Sequence, residues 1–471
     1  MKPLTKVFAV AALLFAAAGA SAQTVDPGVP VVSNDKMELN IFGRGQMMGV
    51  GEFVPDAHAD NARVYLFMNQ VRFGVKGRYE DAFRYELQMD FGGESINGSN
   101  TNMSLLDAVA DVPVRPLGEG TILKIGQFRV PYGREALTDT GYMDFTNKSI
   151  ANFASYWGRD YGLAVETTKG NWTGTAGTFT GGGRNVPQRY LPEQIGIPFM
   201  VARFGYNDGV DQDIYHVVGT DRNLKRDAKA FFVNGIYMTD TRIGHSTALG
   251  VHTIDDNVLI DGNFNPYLKR ATNGTICSGP SCQRGQLFFL GADGVLRHKM
   301  DNDSAVEFEA EGHWGGYQNH SGVLHVASGR AQADYMRGPF EIGVRYAILS
   351  MDDNAGFLST TNNAANDSKV NTSGTNTYYY NEHMGEAMHE VTPSITWHVR
   401  GHNLKVVASL PLFFNAPLFL DNADGVYAFP DPTPSGAATL YNSQGSVLTT
   451  AGNTTRRAFV PEGRMMFQFM F

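Results

Sequence analysis

Residues 124–162 read KIGQFRVPYGREALTDTGYMDFTNKSIANFASYWGRDYG and set Lys124, Arg129, Arg134, Lys148 and Arg159 among aromatic side chains. An arginine presents a planar fork of donors that grips an oxyanion through two bonds, and a lysine adds a point charge. Several such groups converging on one point would select phosphate-like anions. Dispersed, they would be wall charges paired with neighbouring carboxylates. More basic residues, Arg44, Arg72, Lys76, Arg78, Arg84, Arg345 and Lys405, recur on either side of this stretch. Glu86, Asp90, Asp160, Glu166, Glu307, Glu309, Glu311 and Glu341 fall on the same alternating faces, so the expected surface is of mixed charge and near neutral.

Other chemistry is sparse. Cys277 and Cys282, in TICSGPSCQRG, are separated by four residues that include a proline. In an exported chain that spacing reads as a small loop disulfide, with free thiols the other reading. It fits neither haem attachment nor a zinc site, and no cofactor or metal is expected. His383, His389, His398 and His402 crowd the sequence near residue 390, but no G-x-S-x-G elbow or H-E-x-x-H pair accompanies them. They read as histidines at loop and turn edges, and an enzyme is not expected. The formal charge of −9 excludes a basic nucleic-acid-binding surface.

The elements that must carry these residues are strands. In VRFGVKGRYEDAFRYELQMDF, residues 71–91, Val71, Phe73, Val75 and Tyr79 alternate with Arg72, Lys76 and Arg78. After a tight connection at Glu80–Ala82, Phe83, Tyr85, Leu87, Met89 and Phe91 alternate with Arg84, Glu86, Gln88 and Asp90. One greasy and one charged surface result. A soluble sandwich could use one such hairpin, but the pattern repeats in VEFEAEGHW, FEIGVRYAI, TPSITWHV and HNLKVVASL. Short connections are expected at 80–82, 116–120, 169–171, 301–303, 338–339 and 400–402, with a longer one at 208–227. Longer or irregular stretches fall at 51–63, 94–103, 131–158, 183–198, 240–285, 319–322, 352–385 and 415–457. The count is about 16 strands, or 18 if residues 228–300 divide differently. An even number leaves both ends on the short-turn side, as an outer-membrane barrel requires.

Composition agrees. Apolar residues make up 42% of the chain, yet aromatics reach 11% and 53 of 471 residues are glycine, as when lipid-facing and lumen-facing positions alternate. Lys2 and Lys6, an apolar run from Val7 to about Ala18, and Ala20-Ser21-Ala22 form a signal peptide over residues 1–22. Its removal takes the charge from −9 to about −11. A short periplasmic segment, 23–36, then precedes a barrel over 37–471. The closing strand, GRMMFQFMF, turns Met465, Phe467, Phe469 and Phe471 to lipid, with Phe471 at the periplasmic girdle. This ending also resembles the assembly signal by which outer-membrane machinery recognises its substrates. The 131–158 stretch after the fifth strand is too apolar for bulk solvent and is expected to fold inward as a constriction.

KIGQFRVPYGRE followed by GRDYGLAVE resembles the phosphate-selective porin O and P family, strongly over about residues 37–180 and at the last strand. The resemblance implies a 16-stranded, trimeric channel for anions in the outer membrane of a Gram-negative bacterium. By position it implies a basic group of Lys124, Arg129, Arg134 and Arg159, with Arg44 from the first strand. The near-neutral wall departs from a strongly basic anion pore. The function expected is a porin for small hydrophilic solutes, with anions such as phosphate among them. The alternative is a barrel sheath around a partner such as a multihaem cytochrome, which would itself supply every cofactor.

Overall fold

The computed structural model describes residues 28–54, 61–91, 103–152, 157–180, 199–208, 227–242, 284–300, 304–319, 322–351, 387–421, 426–428 and 455–471. Along the chain run β1 (Val29–Ser33), β2 (Met37–Val54), β3 (Asn61–Tyr79), β4 (Phe83–Asp90), β5 (Ser104–Pro113) and β6 (Thr121–Arg129). A helical turn, α1 (Arg134–Leu137), precedes β7 (Arg159–Lys169), β8 (Trp172–Phe179), β9 (Phe199–Asn207) and β10 (Ala228–Arg242). Then come β11 (Arg284–Lys299), β12 (Ser304–Asn319), β13 (Gly322–Arg337), β14 (Phe340–Met351) and β15 (Met388–His402). The last are β16 (Leu404–Ser409), β17 (Leu412–Asp421), β18 (Val426–Ala428) and β19 (Thr455–Met470).

From β2 to β16 each strand pairs antiparallel with the next, and β19 returns to pair with β2 from Glu462 opposite Glu52 to Met470 opposite Arg44. β16 and β17 both lie between β15 and β19 and form one wall strand interrupted at Leu410-Pro411. Proline brings no amide hydrogen to the ladder, so a break there is the expected geometry. With that pair counted once, and β1 and β18 as short additions, the wall is a closed barrel of sixteen strands. The expected N-terminal segment carries β1, which pairs with the short-turn end of β2.

The alternation read from the sequence is that of the wall. On β14, Ile342, Val344 and Tyr346 are exposed while Glu341, Gly343 and Arg345 are buried. On β12, Phe308 and Trp314 are exposed and Glu307, Glu309 and Glu311 are buried. Charged residues inside and aromatics outside invert the soluble rule, and only a lipid surround makes such an outer face stable. Phe467, Phe469 and Phe471 are 41%, 47% and 45% exposed, on that outer face. Two glycines make room for them. A Cβ at Gly43 would stand 2.6 Å from the Phe471 ring, and one at Gly45 would stand 2.4 Å from Phe469. The Phe471 amide donates to the Gly43 carbonyl at 3.0 Å, and the Gly43 amide donates back to the Phe471 carbonyl at 3.0 Å, so the last residue helps close the ring.

Short turns fall where expected, among them Gly170-Asn171 and Gly338-Pro339, whose glycines hold φ of +60° and +54°. At the opposite end the strands run further than the sequence suggested. β2 and β3 extend into 51–63, and Asn319 of β12 pairs directly with Gly322 of β13. Cys277 and Cys282, the signal segment and His383 lie outside the described residues.

Candidate lumen site

Residues 130–152 follow β6, the fifth wall strand, and nearly all of them are buried. The segment bonds to the enclosed face of strands around the whole wall. Thr140 donates to Gln70 of β3 at 2.9 Å, and the Glu135 amide donates to Glu311 of β12 at 2.8 Å. The Ile150 amide donates to Glu390 of β15 at 2.8 Å, while Gln468 of β19 donates to the Gly141 carbonyl at 2.8 Å. Contacts to so many strands place the segment across the barrel interior. Internal bonds shape it: Lys148 donates to the Ala136 carbonyl at 3.1 Å, and the Ser149 amide and hydroxyl donate to Glu135 at 2.8 and 2.5 Å. Further on, Trp157 packs against Phe199 and Phe289 with centroids 5.3 and 5.5 Å apart, all three buried.

On the β2–β7 side a cavity of about 120 Å³ stays open between segment and wall. Five cations border it, Arg44, Lys76, Lys124, Arg129 and Arg159, against the carboxylates of Glu86, Asp107 and Asp139. Asp139 is the hub. It pairs with Arg44, with Arg129 at 2.9 Å and, more loosely, with Arg72 at 3.9 Å. Its Oδ1 also accepts from the Gly141 amide at 2.7 Å, which fixes the turn that presents it. Burial pushes the Asp139 carboxyl up, but Arg44, Arg129 and Arg72 overcome this and hold it well below its ordinary value. Arg129 also donates to the Leu137 carbonyl at 2.8 Å, Arg159 donates to Asp107 at 2.9 and 3.0 Å, and Lys124 donates to Asp111 at 3.3 Å. Lys76 makes no hydrogen bond or ion pair among the described residues and lies over the Phe42 ring, 5.6 Å from its centroid.

Of the residues expected to line a pore, five therefore meet at one cavity and three do not line it. Arg72 sits just behind the cavity, bonded to Asp90 at 2.9 Å. Arg84 is exposed near the β3–β4 turn, opposite Asp111. Arg134 is carried away to β11, where it donates to Asp293 at 3.0 Å beside Arg203. The rest of that side is densely paired. Arg345 bridges Glu390 at 2.7 Å, Glu135 at 3.2 Å and the Asn147 carbonyl at 2.8 Å, and Arg330 donates to Glu309 at 2.8 Å.

The sequence reading missed Asp139, the anchor of the basic group. The signal available was its place in T-D-T-G, a turn-forming aspartate inside an arginine-rich stretch. It also placed two histidines at a turn edge without assigning them a face. His398 and His402 are buried on the enclosed face of β15, and His398 donates to or accepts from Glu341 at 3.0 Å. Their inward positions follow from strand parity, which the short turn after them obscured.

Residues 47–203, about a third of the chain, match the family model of the phosphate-selective porins O and P. No curated protein sequence matches the chain. Among solved structures, an anion-selective porin from Comamonas acidovorans is similar at 10% identity and a TM-score of 0.51, over 93% of this chain and all of that one. OmpT, an outer membrane protein of Vibrio cholerae, is similar at 7% identity and a TM-score of 0.50, over 94% of this chain and 99% of that one. At such identities the likeness is one of fold. The sixteen-stranded closure and the apolar outer wall give this chain a transmembrane β-barrel with the fold of outer-membrane porins.

Proposed function

We propose that this porin-type barrel is a diffusion channel for small hydrophilic solutes, that its inserted segment constricts the path, and that the open side of the constriction favours anions. The observation that supports this reading is the cavity where five cations face three carboxylates. Arg44, Arg129 and Arg159 offer forked donors there. Lys76, with no ion pair within reach among the described residues, is the cation readiest to meet an anion. Phosphate is the permeant anion that the family match suggests. Four of the five cations already hold aspartates, so the expected preference is moderate.

The homotrimer, the recognition of Phe467, Phe469 and Phe471 by assembly machinery, and the removal of residues 1–22 on export belong to the same proposal. The sheath reading is weaker, because the chain's own segment stands where a partner would pass. No catalytic residue is assigned. Reconstitution in a planar bilayer tests the proposal through conductance and reversal potential in a salt gradient, with and without phosphate. Anion-favouring reversal with block by phosphate is expected. Open channels with no anion preference would leave a general porin, and absence of any conductance would overturn the channel.

A further inference from the structure

We propose that Asp144, Glu341 and His398 form a site for a divalent metal ion of the zinc class, which clamps the inserted segment to the barrel wall. Each residue comes from a different element: Asp144 from the segment, Glu341 from β14 and His398 from β15. One ligand atom from each lies within 4.8 Å of the others, and all three residues are buried. His398 Nε2 is 3.0 Å from a Glu341 oxygen and 3.6 Å from Asp144 Oδ1. Tetrahedral ligation at 2.0–2.2 Å sets ligand atoms about 3.3–3.6 Å apart, so small side-chain adjustments close the set.

The tautomer gives a second, independent indication. His398 Nδ1 lies 3.3 Å from the Gly401 carbonyl oxygen, which can only accept, so Nδ1 carries a proton. In the neutral ring Nε2 then directs its lone pair at two acidic groups, an arrangement that a bound cation, or a proton shared between Asp144 and Glu341, relieves. A ring nitrogen donating to a backbone carbonyl while its other nitrogen faces acidic oxygens is the usual outer support of a metal-bound histidine. A proton on Nε2 would serve Glu341 but leave Asp144 Oδ1, which is buried and accepts no hydrogen bond. The nearest ammonium, Lys405, is committed to the Met143 carbonyl. Asp144 is also held in place by its backbone. Its carbonyl accepts from the Ser394 and Thr396 hydroxyls at 2.7 and 3.0 Å, so the carboxylate is presented by a fixed turn. Imidazole with two carboxylates suits zinc better than the all-oxygen shells of calcium or magnesium.

The test is zinc binding by the purified, EDTA-treated barrel in detergent, followed by equilibrium dialysis and by Co2+ absorption as a probe of tetrahedral geometry. One Zn2+ per chain is expected at micromolar metal, weakened at least about tenfold in Asp144→Asn and His398→Gln. Asp227→Asn should leave it intact. That control removes the exposed His298–Asp227 pair, 3.0 Å apart, which is the competing surface site. Zinc should also slow tryptic cleavage at Lys148 in the wild type only. Should His398→Gln fail to fold, Asp144→Asn decides alone, since Asp144 is no part of the wall. Absence of binding to the wild type, or equal binding by both site variants, would overturn the proposal.

Discussion

The two sides of the lumen carry similar residue types and do different things with them. On β2–β7, cations outnumber carboxylates around an open cavity, and one aspartate from the inserted segment gathers three guanidinium groups. On β9–β15, guanidinium and carboxylate groups are interlocked. Asp293 takes Arg134 and Arg203, Arg345 takes Glu135 and Glu390, and Arg330 takes Glu309. Among the described residues there, each buried guanidinium faces a carboxylate. Buried pairs of this kind add little net stability, since desolvation offsets attraction, but removing one partner strands the other at high cost. The interlocked side therefore holds the segment in one position, and that position leaves the basic side open.

The largest expected effect comes from breaking the interlocked side. Arg345→Ala deletes bonds to Glu135, Glu390 and the Asn147 carbonyl and leaves Glu390 buried without its guanidinium and Glu135 with Arg330 at 3.6 Å, a loss of about 3–5 kcal/mol. The strand ladder of β13, β14 and β15 does not depend on that side chain, so the wall should persist while the segment releases. Single-channel conductance should rise several-fold and Arg134 and Lys148 should become trypsin-sensitive. Unchanged conductance with a resistant segment would mean that the aromatic cluster around Trp157 suffices to hold it.

A matched pair of substitutions sharpens the contrast. Asp139→Asn releases Arg44 and Arg129 at the cavity, while Arg72 keeps Asp90, so the reversal potential should move further toward the anion limit, at some cost in stability because Asp139 also docks the segment. Asp293→Asn takes from buried Arg134 and Arg203 the carboxylate they share, so stability should fall while selectivity hardly moves. If the two variants gave the same selectivity shift, the division of the lumen into a conducting and a structural side would not hold. A smaller effect is expected from Lys76→Gln, which should lower anion preference at low salt and become indistinguishable from wild type near 1 M, where the Debye length is about 3 Å.

Most of the wall was legible in the sequence because strand periodicity is exactly two and each side has a different solvent. Phe340, Ile342 and Val344 against Glu341, Gly343 and Arg345 can be assigned from order alone. The interior was legible only in part. Lys124, Arg129 and Arg159, expected in one basic group with Arg44, border one cavity together with Lys76, expected only as a pore-lining residue, since β2, β3, β6 and β7 are near neighbours in the wall. Arg134 was expected with them and is not. Five residues after Arg129, it lies across the barrel, because Val130–Gly133 carries the chain over to β11 before α1 begins. Long-range partners such as Asp293 and Glu390 leave no local trace, as their pairing depends on where a 28-residue excursion is pressed against the wall. Asp139 and His398 sit at turns, where parity is hardest to count.

The smallest expected effect is one of pH, and its sign follows from Asp139. The group lies on the inserted segment, outside the strands, and its carboxyl is held well below the ordinary value of 3.8. A carboxylate depressed by folding contributes stability that is fully present above the unfolded value and is lost only as pH falls through the folded one. Docking through Asp139 should therefore be unchanged from neutral pH down to about pH 4 and weaken only in stronger acid. Recording anion selectivity between pH 7 and 4 checks this against Asp139→Asn. The two proteins should keep a constant difference throughout. A difference that closes between pH 6 and 4 would mean that Asp139 takes up a proton in that range, which requires its three guanidinium partners to be further from it in the open channel than in this structure. The basic side would then owe its charge to a mobile group, and its likeness to the rigid opposite side would be lost there first.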